Sequence, residues 1–220
     1  MLDLCILYLH HKDNSLTRIH ARLLQKYNPG AAFVPLTFRN GMPNAVRFPF
    51  NCRRAVHGEW GSVDLLIYDW FKSKHKITAS RYIILEYDTM ATVPLKDFYQ
   101  DVWDESAAGA QPLTIEKNSD WIWFKDLDAA TPLPLGGFVP FCGIFLSHDA
   151  LSKVVELAHI PPLAFVNSEC RIATLARLAG CQLKKIRPYA ETYISWTTVS
   201  PDCPGVWHPI KDERLATAYE

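Results

Sequence analysis

Residues 2–9 (LDLCILYL) form a short, nearly continuous apolar run. A strand buried on both faces, as in a parallel sheet, reads this way. The polar stretch His10-His11-Lys12-Asp13-Asn14-Ser15 follows and offers helix N-cap candidates. Leu16, Ile19, Leu23 and Leu24 then recur at helical spacing, and Asn28-Pro29-Gly30 stops the helix. Residues 32–38 predict a second strand, interrupted by Pro35. Residues 39–60 are irregular and rich in Arg, Pro and Asn. The run DLLIY at 64–68 predicts a third strand, and residues 81–85 a fourth that leads into Glu86-Tyr87-Asp88. A short helix is expected within 91–101.

The second half is less regular. Residues 121–124 are aromatic, and the Pro/Gly-rich residues 131–140 predict a loop. Residues 141–146 predict a strand, and His148-Asp149 cap a helix over 150–157. Asn167-Ser168-Glu169 open another helix, with Ile172, Leu175 and Leu178 on one face and Gly180 at its end. Residues 181–186 predict a late strand, and 197–212 a Pro-rich tail. A βαβ beginning that passes into a mixed second half predicts an α/β sandwich.

Composition narrows the class. With 220 residues, 49% hydrophobic and 21% charged, the chain suits one globular domain and not a disordered one. Apolar stretches such as 138–146 fall far short of the ~20 residues that span a bilayer. The formal net charge is zero, which disfavours a nucleic-acid binder. That zero hides an asymmetry. Residues 1–60 hold eight Lys/Arg and three Asp/Glu, a net of +5, whereas residues 84–128 hold three and ten, a net of −7. A basic part of this kind suits an anionic ligand, and an acidic part suits a metal or sugar hydroxyls; two solvated surfaces are the plainer alternative. None of the six cysteines forms a CxxC pair, which argues against a structural zinc site. Cys5, Cys142 and Cys181 lie in apolar surroundings, and residues 1–3 lack the basic start of a signal peptide, so a reducing, cytoplasmic setting is expected. There is no G-x-G-x-x-G after the first strand, no G-x-x-x-x-G-K-[ST] and no G-x-S-x-G, which excludes the commonest dinucleotide, P-loop and hydrolase signatures.

The candidate chemistry lies at Leu85-Glu86-Tyr87-Asp88-Thr89. Here an apolar strand ends in two carboxylates spaced i, i+2, which an extended backbone turns to one side. In open α/β sheets the carboxyl ends of the strands are where ligands bind. Two hard oxygen donors suit Mg²⁺ or Mn²⁺, and such an ion bridges nucleotide phosphates. An ordinary strand-to-loop junction with two exposed acids is the alternative.

This pattern resembles the GT-A fold of nucleotide-sugar glycosyltransferases, bacterial ones included, in which a DXD-type motif ends a central strand. Glu86-Tyr87-Asp88 matches that motif as E-x-D, with Asp88 the better-matched position. Residues 137–147 resemble the glycine-rich acceptor-side segment of such enzymes. Residues 167–175 are similar to the acidic helix start of branching N-acetylglucosaminyltransferases, and residues 205–211 to a late His-Pro segment of related transferases. The resemblance implies a single GT-A-like (Rossmann-like) α/β/α domain over 1–220 with a mixed central sheet. It divides into a nucleotide-binding half (1–90) and an acceptor-side half (91–220).

The resemblance also implies roles. Asp88, Glu86 and His208 are the metal ligands, and Glu169 is the base that takes the acceptor hydroxyl proton. A helix N-terminus would favour the ionised form of Glu169; a plain first-turn acid is the alternative. His10, Tyr87, Asp69 at the end of the predicted third strand, and Arg18 are placed at the nucleotide. Arg39, Arg53 and Arg54 are further candidates for the diphosphate, His11 for the donor base, and Trp121 or Trp123 for stacking on a sugar ring. The partners implied are a UDP-sugar or other nucleotide-sugar donor and a saccharide, lipid or protein acceptor. Two other classes stay open. One is a non-catalytic nucleotide-sugar-binding module, favoured by the short chain. The other is a metal-dependent phosphotransfer or hydrolysis enzyme that uses the same carboxylates.

Overall fold

The computed structural model describes residues 1–40, 44–50, 58–122, 124–125, 127, 136–159, 163, 166–186 and 201–220. Strand β1 (Leu2–Leu9) sends Leu4, Ile6 and Tyr8 into one core and Cys5, Leu7 and Leu9 into another. All six are buried, which explains why the run is apolar rather than alternating. Helix α1 (Ser15–Tyr27) follows, closed by a capping box. The Thr17 N–H donates to Asn14 Oδ1 (2.9 Å), and the Asn14 N–H donates to Thr17 Oγ1 (3.2 Å). Strands β2 (Ala32–Thr37) and β3 (Val46–Arg47) then extend the sheet on one side of β1.

Residues 64–68 are not the third strand that their apolar run predicts. They begin helix α2 (Asp64–Lys72), in which Leu65, Leu66, Ile67 and Tyr68 are all buried. A helix enclosed on all sides loses the polar face that would betray its period, so it reads like a buried strand. The chain returns through α2 to β4 (Ala79–Glu86), which pairs with β1 on the side away from β2.

The remaining elements are β5 (Met90–Ala91), α3 (Leu95–Phe98), β6 (Ala107–Gly109), β7 (Leu113–Thr114), β8 (Gly137–Phe138), β9 (Ile144–Ser147), α4 (His148–Leu157), α5 (Ser168–Leu178), β10 (Leu183–Lys185), β11 (Val206–Trp207) and α6 (Glu213–Thr217). Ser147, rather than His148-Asp149, caps α4 by accepting from the Ala150 N–H. The loop expected over 131–140 holds β8 in its described part, paired to β7.

Among the described residues, the central sheet has seven strands in the order β10-β6-β9-β4-β1-β2-β3, and β9 alone runs against its neighbours. α2, α4 and α5 contribute to the core on the face of Cys5, Leu7, Tyr82 and Ile84, and α1 and α3 to the core on the other face. The architecture is thus the α/β sandwich with a mixed sheet that the sequence predicts. The first core also holds a buried ion pair. The Arg171 guanidinium on α5 donates to both oxygens of Asp64 at the start of α2, and its Nη1 donates to the carbonyls of Leu163 and Val166. Among the described residues, no helix is long and apolar enough to cross a membrane.

Candidate functional site

The strand order places the site. From β1 the chain goes to β2 on one side, and the next long strand, β4, lies on the other. The connecting helices α1 and α2 cover opposite faces, so a crevice opens between the carboxyl ends of β1 and β4. Glu86 ends β4, and Asp88 follows in a turn closed by the Thr89 N–H on the Glu86 carbonyl (3.0 Å).

His208 reaches the same place from the C-terminal segment. β11 pairs antiparallel with β5, Trp207 opposite Met90. The pairing is extended by the Thr92 N–H on the Gly205 carbonyl (2.9 Å) and the Ile210 N–H on the Asp88 carbonyl (2.9 Å). Glu86, Asp88 and His208 each offer one ligand atom, all within 4.8 Å of one another. His208 Nε2 lies 3.2 Å from Asp88 Oδ1 and 3.6 Å from Glu86 Oε2. Among the described residues, Asp88 Oδ1 and His208 Nδ1 are buried atoms with no hydrogen-bond partner. Lys211 Nζ stands 3.8 Å from Asp88 Oδ2 and is largely exposed.

The electrostatics follow from this crowding. Burial works against a charged His208, but the adjacent Asp88 and Glu86 carboxylates prevail and raise it to about 9. Burial works against a charged Asp88 too, yet His208 and Lys211 hold its carboxyl below the ordinary value. Buried, hard and negatively charged oxygens with an orphaned acceptor, beside an imidazole, fit a divalent ion such as Mn²⁺ or Mg²⁺.

Glu169 faces this group across the backbone of one residue, Phe141. The Phe141 N–H donates to Glu169 Oε1 (3.1 Å), and the Phe141 carbonyl accepts from the Glu86 N–H (2.9 Å). Glu169 lies in the first turn of α5, which Asn167 caps, as the sequence predicts. Its charge differs from expectation. Burial, then repulsion from Glu86, push it up to about 8 and outweigh the Phe141 N–H and the nearby His208. Glu169 is therefore mostly protonated at neutral pH in the free chain.

A pocket of ≈ 260 Å³ adjoins the carboxylates at the ends of β1 and β2. His10, His11, Lys12, Arg39 and Tyr87 line it together with Glu86 and Glu59. His11 packs edge-on to Tyr87 (4.4 Å between ring centroids), and Lys12 stands 5.3 Å over the same ring. Burial lowers both histidines, so they favour the neutral form. His10 and Tyr87 thus line the same pocket.

Other predicted residues stand apart. Arg18 lies on α1, bonded through two nitrogens to Asp13 (2.9 and 2.8 Å), and lines a neighbouring groove of ≈ 500 Å³ that shares His10 with the first pocket. Asp69 lies on α2, so the strand end that would have carried it to the nucleoside does not exist. Trp121 packs on Phe138 (5.2 Å between centroids) at the rim of a groove beside β7 and β8. Arg53, Arg54 and Trp123 lie outside the described residues. The sequence reading missed Lys211, although it closes the His-Pro segment already singled out. It also missed Lys12, whose only signal is its place just after β1.

No protein-family model and no curated protein matches the chain. Fold and site together describe an α/β sandwich with an acidic, metal-compatible group at its switch point. Among solved structures it is similar to the galactosyltransferase LgtC in complex with donor and acceptor sugar analogues, at 11% identity and a TM-score of 0.45, over 82% of this chain and 72% of that one. An active-site mutant of LgtC aligns at 9% identity with the same TM-score and coverage. These likenesses are distant, and the α/β class rests on the sheet itself.

Proposed function

We propose that the chain is a divalent-metal-dependent glycosyltransferase that moves a sugar from a nucleotide-diphosphate donor to an acceptor hydroxyl. One observation carries the reading: three ligand atoms converge at the carboxyl end of a central strand, next to a pocket lined by basic and aromatic side chains. Glu86, Asp88 and neutral His208 would hold the ion, which when bound neutralises charge on a diphosphate leaving group.

The chain's own residues do the rest. Lys211 and Lys12 meet phosphate oxygens, with Arg39 beside them. Tyr87 and His11 give the nucleoside an aromatic wall, and a UDP-sugar is the donor we favour. Glu169 accepts the acceptor proton. With its pKa about 8, roughly one molecule in ten carries the ionised form at pH 7, and relief of the Glu86 repulsion raises that fraction. A second reading, a nucleotide-sugar-binding module without turnover, draws on the same geometry. A protonated His208 together with Lys211 already balances Asp88 and Glu86, so the site is neutral without an ion.

Titration calorimetry with UDP and a panel of UDP- and GDP-sugars, in Mn²⁺ and in EDTA, tests the proposal. Metal-dependent binding that Asp88→Ala abolishes supports it and names the base. No nucleotide binding by an intact fold rejects the transferase reading. Nucleotide-sugar binding without transfer to any acceptor or to water selects the module.

A further inference from the structure

The turn that aims Asp88 is held from behind by two buried side chains. The Tyr87 carbonyl accepts from the Tyr8 hydroxyl (2.8 Å) and from His20 Nδ1 (2.9 Å). Tyr8 is 1% exposed and His20 0%. The carbonyls on either side are fixed by backbone: Glu86 O by the Thr89 N–H and Asp88 O by the Ile210 N–H. Among the hydrogen bonds of the described residues, the Tyr87 carbonyl has side-chain donors only. Rotating the Tyr87–Asp88 peptide about its flanking bonds would swing the Asp88 carboxylate away from Glu86 and His208.

The chemistry of His20 singles it out. A carbonyl only accepts, so Nδ1 carries the proton and Nε2 is a bare acceptor. Nε2 is buried and has no hydrogen-bond partner among the described residues, while α1 buries Leu16, Ile19, Leu23 and Leu24 around the same turns. A leucine there would avoid desolvating that nitrogen. What histidine supplies and leucine does not is the N–H on the Tyr87 carbonyl. Tyr8 is parallel in kind: phenylalanine would fill its place in the core, and the hydroxyl adds the second bond.

We infer that Tyr8 and His20 are positioning residues that set the divalent-cation affinity of the Glu86–Asp88–His208 group by fixing the Tyr87–Asp88 peptide. The inference rests on the metal reading of that group. Partners one step behind metal ligands typically change affinity about 10–100-fold when removed.

The test is Mn²⁺ binding, read by calorimetry and by the electron-spin signal of the free ion, with thermal stability measured on the same samples. His20→Leu and Tyr8→Phe should each bind Mn²⁺ about tenfold more weakly. His20→Asn places an amide N–H near the Nδ1 position and should recover most of the affinity. The Tm of His20→Leu should not fall in proportion, because the unpaired Nε2 is gone. Variants that keep affinity within twofold of the parent overturn the inference while leaving the metal reading intact. So does loss that tracks Tm and is not rescued by His20→Asn. A parent chain that binds no Mn²⁺ overturns both. Should His20→Leu not fold, Tyr8→Phe, which removes one oxygen, decides alone.

Discussion

On the proposed reading, metal binding at Glu86, Asp88 and His208 would expel protons. His208 is held at about 9 in the free chain because it lies against two carboxylates. Ligation needs a neutral imidazole. At pH 7 that deprotonation costs roughly 3 kcal/mol, about a hundredfold in affinity relative to pH above 9. Mn²⁺ affinity should thus rise about tenfold per pH unit up to that point. Glu169 adds a second contribution. Its pKa of about 8 includes repulsion from Glu86, and an ion on Glu86 relieves it. Between pH 6 and 8 the slope should lie between one and two protons per ion. Glu169→Gln should bring it down to one. The assay is calorimetry at pH 6, 7 and 8 in two buffers of different ionisation enthalpy, which reads proton release directly. An affinity flat with pH, or release well below one proton at pH 7, would refute the placement of His208 in the ligand set.

Three further outcomes are expected. Asp64→Asn leaves the buried Arg171 charge unbalanced and should cost about 3–5 kcal/mol in urea unfolding, whereas Asp64→Leu with Arg171→Met should recover most of it. A Glu169 pKa of about 8, above the unfolded 4.5, makes its contribution most favourable below pH 4.5 and lost as pH rises through 8. In EDTA, Glu169→Gln should therefore be more stable than the parent at pH 8 by about 4 kcal/mol, with a gap of about 1 kcal/mol at pH 5 in denaturant titrations; equal gaps would contradict the buried, repelled carboxyl. Gly109→Ala places a Cβ 2.1 Å from Val139 Cγ1 and should lower stability by about 1–3 kcal/mol, unless Val139→Ala accompanies it and makes room.

What the sequence shows of this site follows from what is local. The apolar run of β1, the capped α1 and the Glu86/Asp88 spacing are properties of neighbouring residues, and each is visible in the string. Helix α2 is hidden because burial on every side erased its period. His208 was legible only as a resemblance, since nothing in Gly205-Val206-Trp207-His208 announces that its strand pairs with Met90–Ala91. The state of Glu169 is the least local of all. Its helix start predicts an ionised acid, and burial in the fold, with repulsion from Glu86 added, reverses that. Charge states belong to the folded neighbourhood, and the spacing of residues along a chain carries little of it.

The seat of the C-terminal segment has a consequence for how this protein comes into being. β11 and α6 lie against α1 and β5, with Trp207, Ile210 and Ala216 sharing a core with Leu16, Ile19 and Leu23. During synthesis, both carboxylates and the pocket beside them emerge from the ribosome long before His208. An early, two-ligand chain has acids that repel one another and no imidazole to reconcile them. On the proposed metal reading, a chain cut short between β10 and this segment keeps every strand of the large sheet and lacks the imidazole of the ligand set.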